Sequence, residues 1–251
     1  MRIRVLQVVH GLPRGGLENG VVNVVNALAG ETFEHAVACL DTRGEMADRL
    51  DPAVPVWTLD REPHDRRTPA RLAGLLRAWQ PQVIHCHNWN TWPDTVLAHA
   101  LAGRRGRLMW SFHGFVDHGP MPWRRRLASR LLARHTHHLL AVCGDAARRY
   151  ASQTRIPLAR FDVLYNGVDT RRFAPAGDRA AARRALGLPE AATIALTVAS
   201  LTPIKDHASL IAAAAPLLRA PGSDLHLVLV GDGALRPRIE QQIATLGVGG
   251  R

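Results

Sequence analysis

Lysine is almost absent from this chain: of its 32 lysines and arginines, Lys205 alone is lysine. Arginine serves wherever a forked donor will do, so the one compact ammonium needs a reason. A tight phosphate site supplies one, because a point charge on a flexible stem fits where a planar guanidinium does not; a cation closing a strand end is the plainer alternative. Cysteine is scarce as well. Cys39, Cys86 and Cys143 are odd in number, far apart and outside any metal-ligand spacing, which argues against a disulfide framework or a zinc motif and suits reduced, half-buried thiols in a cytoplasmic protein. No apolar run approaches the ~20 residues of a membrane-crossing helix, and the opening MRIRVLQVVHGL meets His10 and Gly11 too early for a signal peptide. There is no GxGxxG, no Walker A sequence, and no Ser-His-Asp or Cys-His grouping. Aromatic and basic residues do not interleave either. The net charge of +11 therefore reads as a preference for small anions such as nucleotides, or for acidic lipid headgroups, with no nucleic-acid partner expected.

What is present is 47% hydrophobic residues in 251 positions, enough for the cores of one large or two modest domains. Short apolar runs alternate with helical stretches, the pattern of a parallel sheet covered on both faces. Strands are expected at 3–9, 35–40, 54–59, 83–86, 108–112, 139–142 and 161–164, with helices between them. The helix after the fourth strand is expected to open at Pro93, proline being favoured in a first turn. RRFAPAGDRAAARRALGLPE, residues 171–190, reads as a linker between a first domain, 1–170, and a second, 191–251. The second restarts the alternation with only two strands, half of a doubly wound domain with an unpaired edge. The expectation is a longer natural product, or a missing half supplied by another chain.

Ligands of open parallel sheets sit beyond the carboxyl ends of the strands. Those loops hold His10 to Leu17, His85 to Asn90, His113 to Gly119, Cys143 to Asp145 and Asn166 to Asp169. Gly15 and Gly16 suit either a tight strand-to-helix turn or close backbone approach to a ligand. His85 and His87, two apart on a strand, share a face and could converge; without a third ligand at fixed spacing no metal is expected. His113 is either a satisfied loop histidine or a functional one. In TIALTVASLTPIKDHASLI, a buried strand at 194–199 runs into a turn closed by Pro203 and a helix capped by Asp206, which would aim free N–H groups at one spot beside Lys205. In the basic helix 123–134, Trp123, Leu127 and Leu131 are expected to pack on the sheet, with Arg124, Arg125, Arg126, Arg130 and Arg134 facing either solvent or anionic lipid.

Taken in order, GGLE at 15–18, VIHCH at 83–87, SFHG at 111–114, AVCGDAARRY at 141–150, VLYNGVDTRRF at 163–173, VASLTPIKDHASLI at 198–211 and LVLVGDGALRPRIE at 227–240 resemble the family-4 glycosyltransferases. That resemblance implies a GT-B fold of two Rossmann-like domains, here a complete first domain and the first half of a second. It implies a retaining transfer from a UDP- or GDP-linked sugar to a glycan or lipid-linked acceptor, with no cofactor beyond the donor itself. By motif, His113 would lie against the transferred sugar as the catalytic residue. Gly15, Gly16, Ser200, Lys205 and Gly231 would bind the donor, and His10, Glu18, His85, Asn88 and Asn166 the acceptor. The protein would work in the cytoplasm, at the inner face of the membrane if the 121–134 helix touches lipid. Two departures stand out. An arginine usual ahead of the lysine is replaced by Ser200 or Thr202, and the paired-glutamate motif of the donor pocket lies outside these residues. The expectation is a chain inactive on its own, the alternative a non-catalytic module that binds a glycan, lipid or protein.

Overall fold

The computed structural model describes residues 2–30, 32–62, 65–114, 119–175 and 177–251. The chain divides into two compact units, Met1–Val168 and Asp169–Arg251.

The first unit is a seven-stranded parallel sheet, β1 (Ile3–Val9), β2 (Phe33–Cys39), β3 (Val56–Thr58), β4 (Val83–His87), β5 (Arg107–Phe112), β6 (His138–Ala141) and β7 (Phe161–Val163). Their order is β3-β2-β1-β4-β5-β6-β7, so the progression reverses between β1 and β4. The connecting helices are α1 (Gly16–Leu28), α2 (Thr68–Trp79), α3 (Asn88–Leu101), α4 (Trp123–Arg134) and α5 (Gly144–Thr154).

Because side chains alternate along a strand, each strand feeds two different surroundings. Leu6, Val8, Ile84, Cys86, Leu108, Trp110 and Phe112 share a core with residues of α2, α3, α4 and α5. On the opposite face Val9, Val37 and Cys39 pack on Val21, Val22 and Val25 of α1. Val56 of β3 packs against the same group, and farther along this face β4 and β5 present the polar side chains His85, His87 and Ser111. Cys39 and Cys86 are fully buried, not half-buried.

The centre of the larger core is aromatic. Trp92 and Trp110 stack at 3.9 Å with planes 10° apart, and Tyr150 leans on Trp110 at 5.0 Å. The polar edge of Trp92 is satisfied, its Nε1 donating to Thr136 Oγ1 at 2.9 Å, as a buried indole requires.

The helix α3 opens at Asn88, five positions earlier than Pro93 suggests, and Pro93 lies inside it. Asn88 takes φ 58°, turning the chain directly from β4 into the helix. The Thr91 and Thr95 hydroxyls donate to the carbonyls of His87 and Thr91, each at 2.7 Å. The proline then forfeits one backbone bond near the helix start, and the flanking turns hold.

A second correction concerns α4. Its buried residues are Ser129 and Ala133, while Trp123, Leu127 and Leu131 are 67%, 58% and 55% exposed. The small residues allow close packing, so the bulky stripe points outward.

In the second unit β8 (Thr193–Val198) pairs in parallel with β9 (Leu225–Val230), accompanied by α6 (Arg179–Ala185), α7 (His207–Arg219) and α8 (Arg236–Thr245). Leu227 and Leu229 pack on Leu201, Ile211 and Ile239. The strand expected to be buried is not: Leu196 and Val198 of β8 are 59% and 71% exposed, because the hydrophobic contacts gather on one face of the pair. Within residues 171–190, α6 is tied to the approach to β8 by Arg183, which is buried and donates to the carbonyls of Pro189, Glu190 and Ala192.

Removing one member of the tryptophan stack leaves a large dry hole that the rigid sheet does not close. Trp92→Ala is expected to destabilise the first unit by about 3–5 kcal/mol, measured as a shift in the urea midpoint at unchanged slope; a loss below about 1 kcal/mol would show that the pair is not central.

Candidate functional site

The reversal between β1 and β4 is where an open parallel sheet presents a crevice, and the histidines gather there. The register sets Gln7 beside His85, and His87 beside Ser111. The His85 and His87 rings lie 4.2 Å apart, and His113 follows the end of β5 with its ring 5.3 Å from His87. His85 Nε2 and Ser111 Oγ are hydrogen-bonded at 2.6 Å. His87 Nδ1 lies 3.0 Å from His113 Nε2, and His87 Nε2 lies 2.9 Å from Gln7 Oε1. Asn88 anchors the loop: its Oδ1 accepts from the His113 backbone N–H and its carbonyl from Trp110 Nε1, both at 2.9 Å.

Desolvation dominates the electrostatics. Burial lowers His85 to a pKa of about 4, with His113 adding to the effect, and burial alone lowers His113 to about 4. His87 falls well below 6.5 for the same reason, helped by its two neighbours. A buried imidazole beside other imidazoles sheds its proton because charge is unfavourable in a dry surrounding. The cluster is therefore neutral at physiological pH, and it offers hydrogen bonds, not charge. Among the described residues no group of three or more His, Cys, Asp or Glu is placed to hold a metal ion.

At the neighbouring strand end, Gly15 leaves room for Glu18, whose Oε2 would stand 2.0 Å from a Cβ at that position. A Cβ at Gly16 would meet nothing within 4 Å, so this stretch of backbone is open to approach. Burial raises the Glu18 pKa, against the lowering effects of its own backbone N–H and of His10. His10 is exposed, 3.7 Å from Asp41. Asn166 is exposed and hydrogen-bonds to none of the cluster.

In the second unit Lys205 ends a 3-10 turn, Pro203–Lys205. It is exposed and makes no ion pair among the described residues. The helix end beside it is not vacant, since Asp206 Oδ1 accepts from the Ser209 N–H at 3.4 Å. Just ahead of this turn the hydroxyls of Ser200 and Thr202 lie 3.4 Å apart. Gly231 has φ 155°, and a Cβ there would stand 1.9 Å from the Ala199 carbonyl oxygen; its bareness lets the loops after β8 and β9 touch.

Gln7 and Ser111 are the members that the sequence reading leaves out of the site. Gln7 carries a signal, a lone amide within the apolar run Val5–Val9.

The model of Glycosyltransferase Family 4 matches residues 14–172, well over half of the chain. The chain belongs to glycosyltransferase family 4. Family-4 relatives agree along its length. A D-inositol 3-phosphate glycosyltransferase of Mycolicibacterium gilvum is 28% identical over 249 residues, covering 92% of this chain and 52% of the relative. One of Nocardia farcinica is 29% identical over 275 residues, covering 100% and 58%. The chain thus spans about half the length of the curated relatives it matches. Among solved structures, Anabaena Alr3699/HepE in complex with UDP and glucose superposes with a TM-score of 0.82 at 19% identity, over 100% of this chain and 68% of that one. The lipopolysaccharide outer core galactosyltransferase WaaB reaches 0.62 at 16%, over 99% and 66%. These establish the GT-B type of α/β fold.

The histidine pKa values set a pH dependence with a definite sign. Each folded-state value lies below the ordinary 6.5, so unfolding takes up protons at pH values between the two. Stability is whole above about 6.5 and is lost as pH falls toward about 4. Urea titrations from about pH 7.5 to about pH 4.5 should show this decline, each histidine adding at most about 1.4 kcal/mol per pH unit. His85→Gln should flatten the slope by its share; an unchanged slope would refute the neutral cluster.

Proposed function

We propose that this chain carries the acceptor side, and the beginning of the donor side, of a sugar transferase. The reaction moves a glycosyl group from a UDP- or GDP-linked donor to a glycan or lipid-linked acceptor, with retention at the anomeric carbon. The observation that carries the reading is the neutral histidine cluster at the sheet's switch point, inside the segment that matches family 4. The D-inositol 3-phosphate glycosyltransferases among the relatives support glycosyl transfer, and the UDP and UDP-glucose complexes of Anabaena HepE support a nucleotide-sugar donor.

In this reading His113 lies against the transferred sugar, and Gly15 and Gly16 let the first unit's backbone approach the donor. Charge accumulates on the departing diphosphate as the glycosidic bond breaks, and preorganised cations and donors at that position lower the barrier. In this reading Lys205 and Ser200 take that task, with Gly231 at the adjoining loop. His10, Glu18, His85, Asn88 and Asn166 form the acceptor side. No metal or further cofactor enters. A hydroxyl where an arginine is usual makes leaving-group stabilisation weaker, and the 251-residue polypeptide alone turns over no donor.

The test is a panel of UDP- and GDP-sugars with this polypeptide. One nucleotide series should bind and raise the melting temperature without nucleotide release. Lys205→Ala should lower that affinity roughly tenfold or more, the worth of one charge-assisted contact. Robust release by the 251-residue chain would refute its inactivity, and binding indifferent to Lys205→Ala would remove the lysine from the donor site.

The outward stripe of α4 adds a location. Trp123, Leu127 and Leu131 recur every fourth residue on a helix with five arginines and no carboxylate, the make-up of a helix that lies on an anionic bilayer. No helix among the described residues is long and apolar enough to cross one. Vesicles rich in phosphatidylglycerol should sediment the chain and neutral ones should not, with salt weakening the interaction. Trp123→Ser with Leu127→Ser should release it; equal retention by both vesicle types would contradict this docking.

A further inference from the structure

Gln7 interrupts the apolar run of β1 and is 3% exposed. A buried amide in a central strand is tolerated when its polar atoms are paired, and the partner here is His87 Nε2, 2.9 Å from Oε1. The amide oxygen can only accept, so His87 carries its proton on Nε2. Burial keeps that ring neutral, with a single proton. Its Nδ1 is therefore a bare lone pair, and it stands 3.0 Å from His113 Nε2. The proton of that second bond has to come from His113. Being neutral as well, His113 keeps its own lone pair on Nδ1. That atom makes no hydrogen bond among the described residues, and His113 is only partly buried. Asn88 fixes the loop's backbone at the same point by accepting from the His113 N–H.

We infer that Gln7 is a positioning residue: acting through His87, it makes His113 an acceptor whose Nδ1 receives a hydroxyl of the bound sugar. The hydroxyl contact rests on the transferase reading, while the placement of the protons does not. Recognition of this kind discriminates sharply, because a sugar lacking the hydroxyl leaves the lone pair unmatched.

Long-range proton–nitrogen NMR of the whole chain, labelled with nitrogen-15 in histidine and held at about pH 7, where imidazole tautomers are read directly, tests the relay. His87→Asn and His113→Asn spectra assign the two rings. Both rings are expected protonated on Nε2 and bare on Nδ1. Gln7→Glu should draw a second proton onto His87, whose Nδ1–H then donates to His113 Nε2 and switches His113 to its Nδ1–H form. Gln7→Leu should leave His113 a mixture of tautomers. A proton on His113 Nδ1 in the unsubstituted chain overturns the relay without any variant having to fold, and so does a His113 signal that neither substitution moves. For the hydroxyl contact, UDP-glucose should move the His113 Nδ1 resonance toward the protonated position and UDP alone should not. Binding of UDP-glucose without that movement overturns the contact and leaves the relay standing; failure of every nucleotide to bind overturns the transferase reading instead.

Discussion

The parallel pairing of β1 with β4 is the contact on which the candidate site depends. It brings two strands distant in sequence side by side at the point where the sheet changes direction, with Gln7 opposite His85. A slip of one residue in this register would turn His85 and His87 into the tryptophan core and Ile84 and Cys86 out of it. The stacked Trp92 and Trp110 hold the register from one face, and the histidine hydrogen bonds complete it from the other. Packing and polar chemistry are thus two faces of the same strands.

Neutrality links this geometry to function. Three imidazoles within hydrogen-bonding range would repel one another if charged, and burial removes the conflict by lowering their pKa values. Lys205, in the other unit, is by contrast an exposed cation. In the proposed reading, sugar recognition falls to the neutral groups and diphosphate recognition to the charged one.

Much of the architecture is legible in the residues. β1 and α4 fall where the patterns place them, because each is a periodic run ended by an unambiguous loop. The start of α3 is not, since Pro93 looks like a first-turn proline and the Thr91 and Thr95 hydroxyls that sustain an earlier start act only in three dimensions. The direction of α4 is hidden for a related reason. Spacing identifies an apolar stripe, but the choice between stripe and small-residue face is made by the neighbouring helix, and Ser129 bonding to Tyr150 at 2.9 Å decides it. Gln7 escapes a reading by motif because a single amide among valines forms none, and its partner lies 80 positions away.

The bare α-carbon of Gly231 has a bearing on how the second unit tolerates change. With its neighbour's carbonyl where a methyl group would stand, the segment after β9 can shift only together with the segment after β8. The hydroxyls of Ser200 and Thr202 ride on one of these segments and the 231 backbone on the other. A side chain introduced at 231 would therefore be felt first as a displacement of those two hydroxyls, well before the hydrophobic contacts of α7 and α8 registered any disturbance.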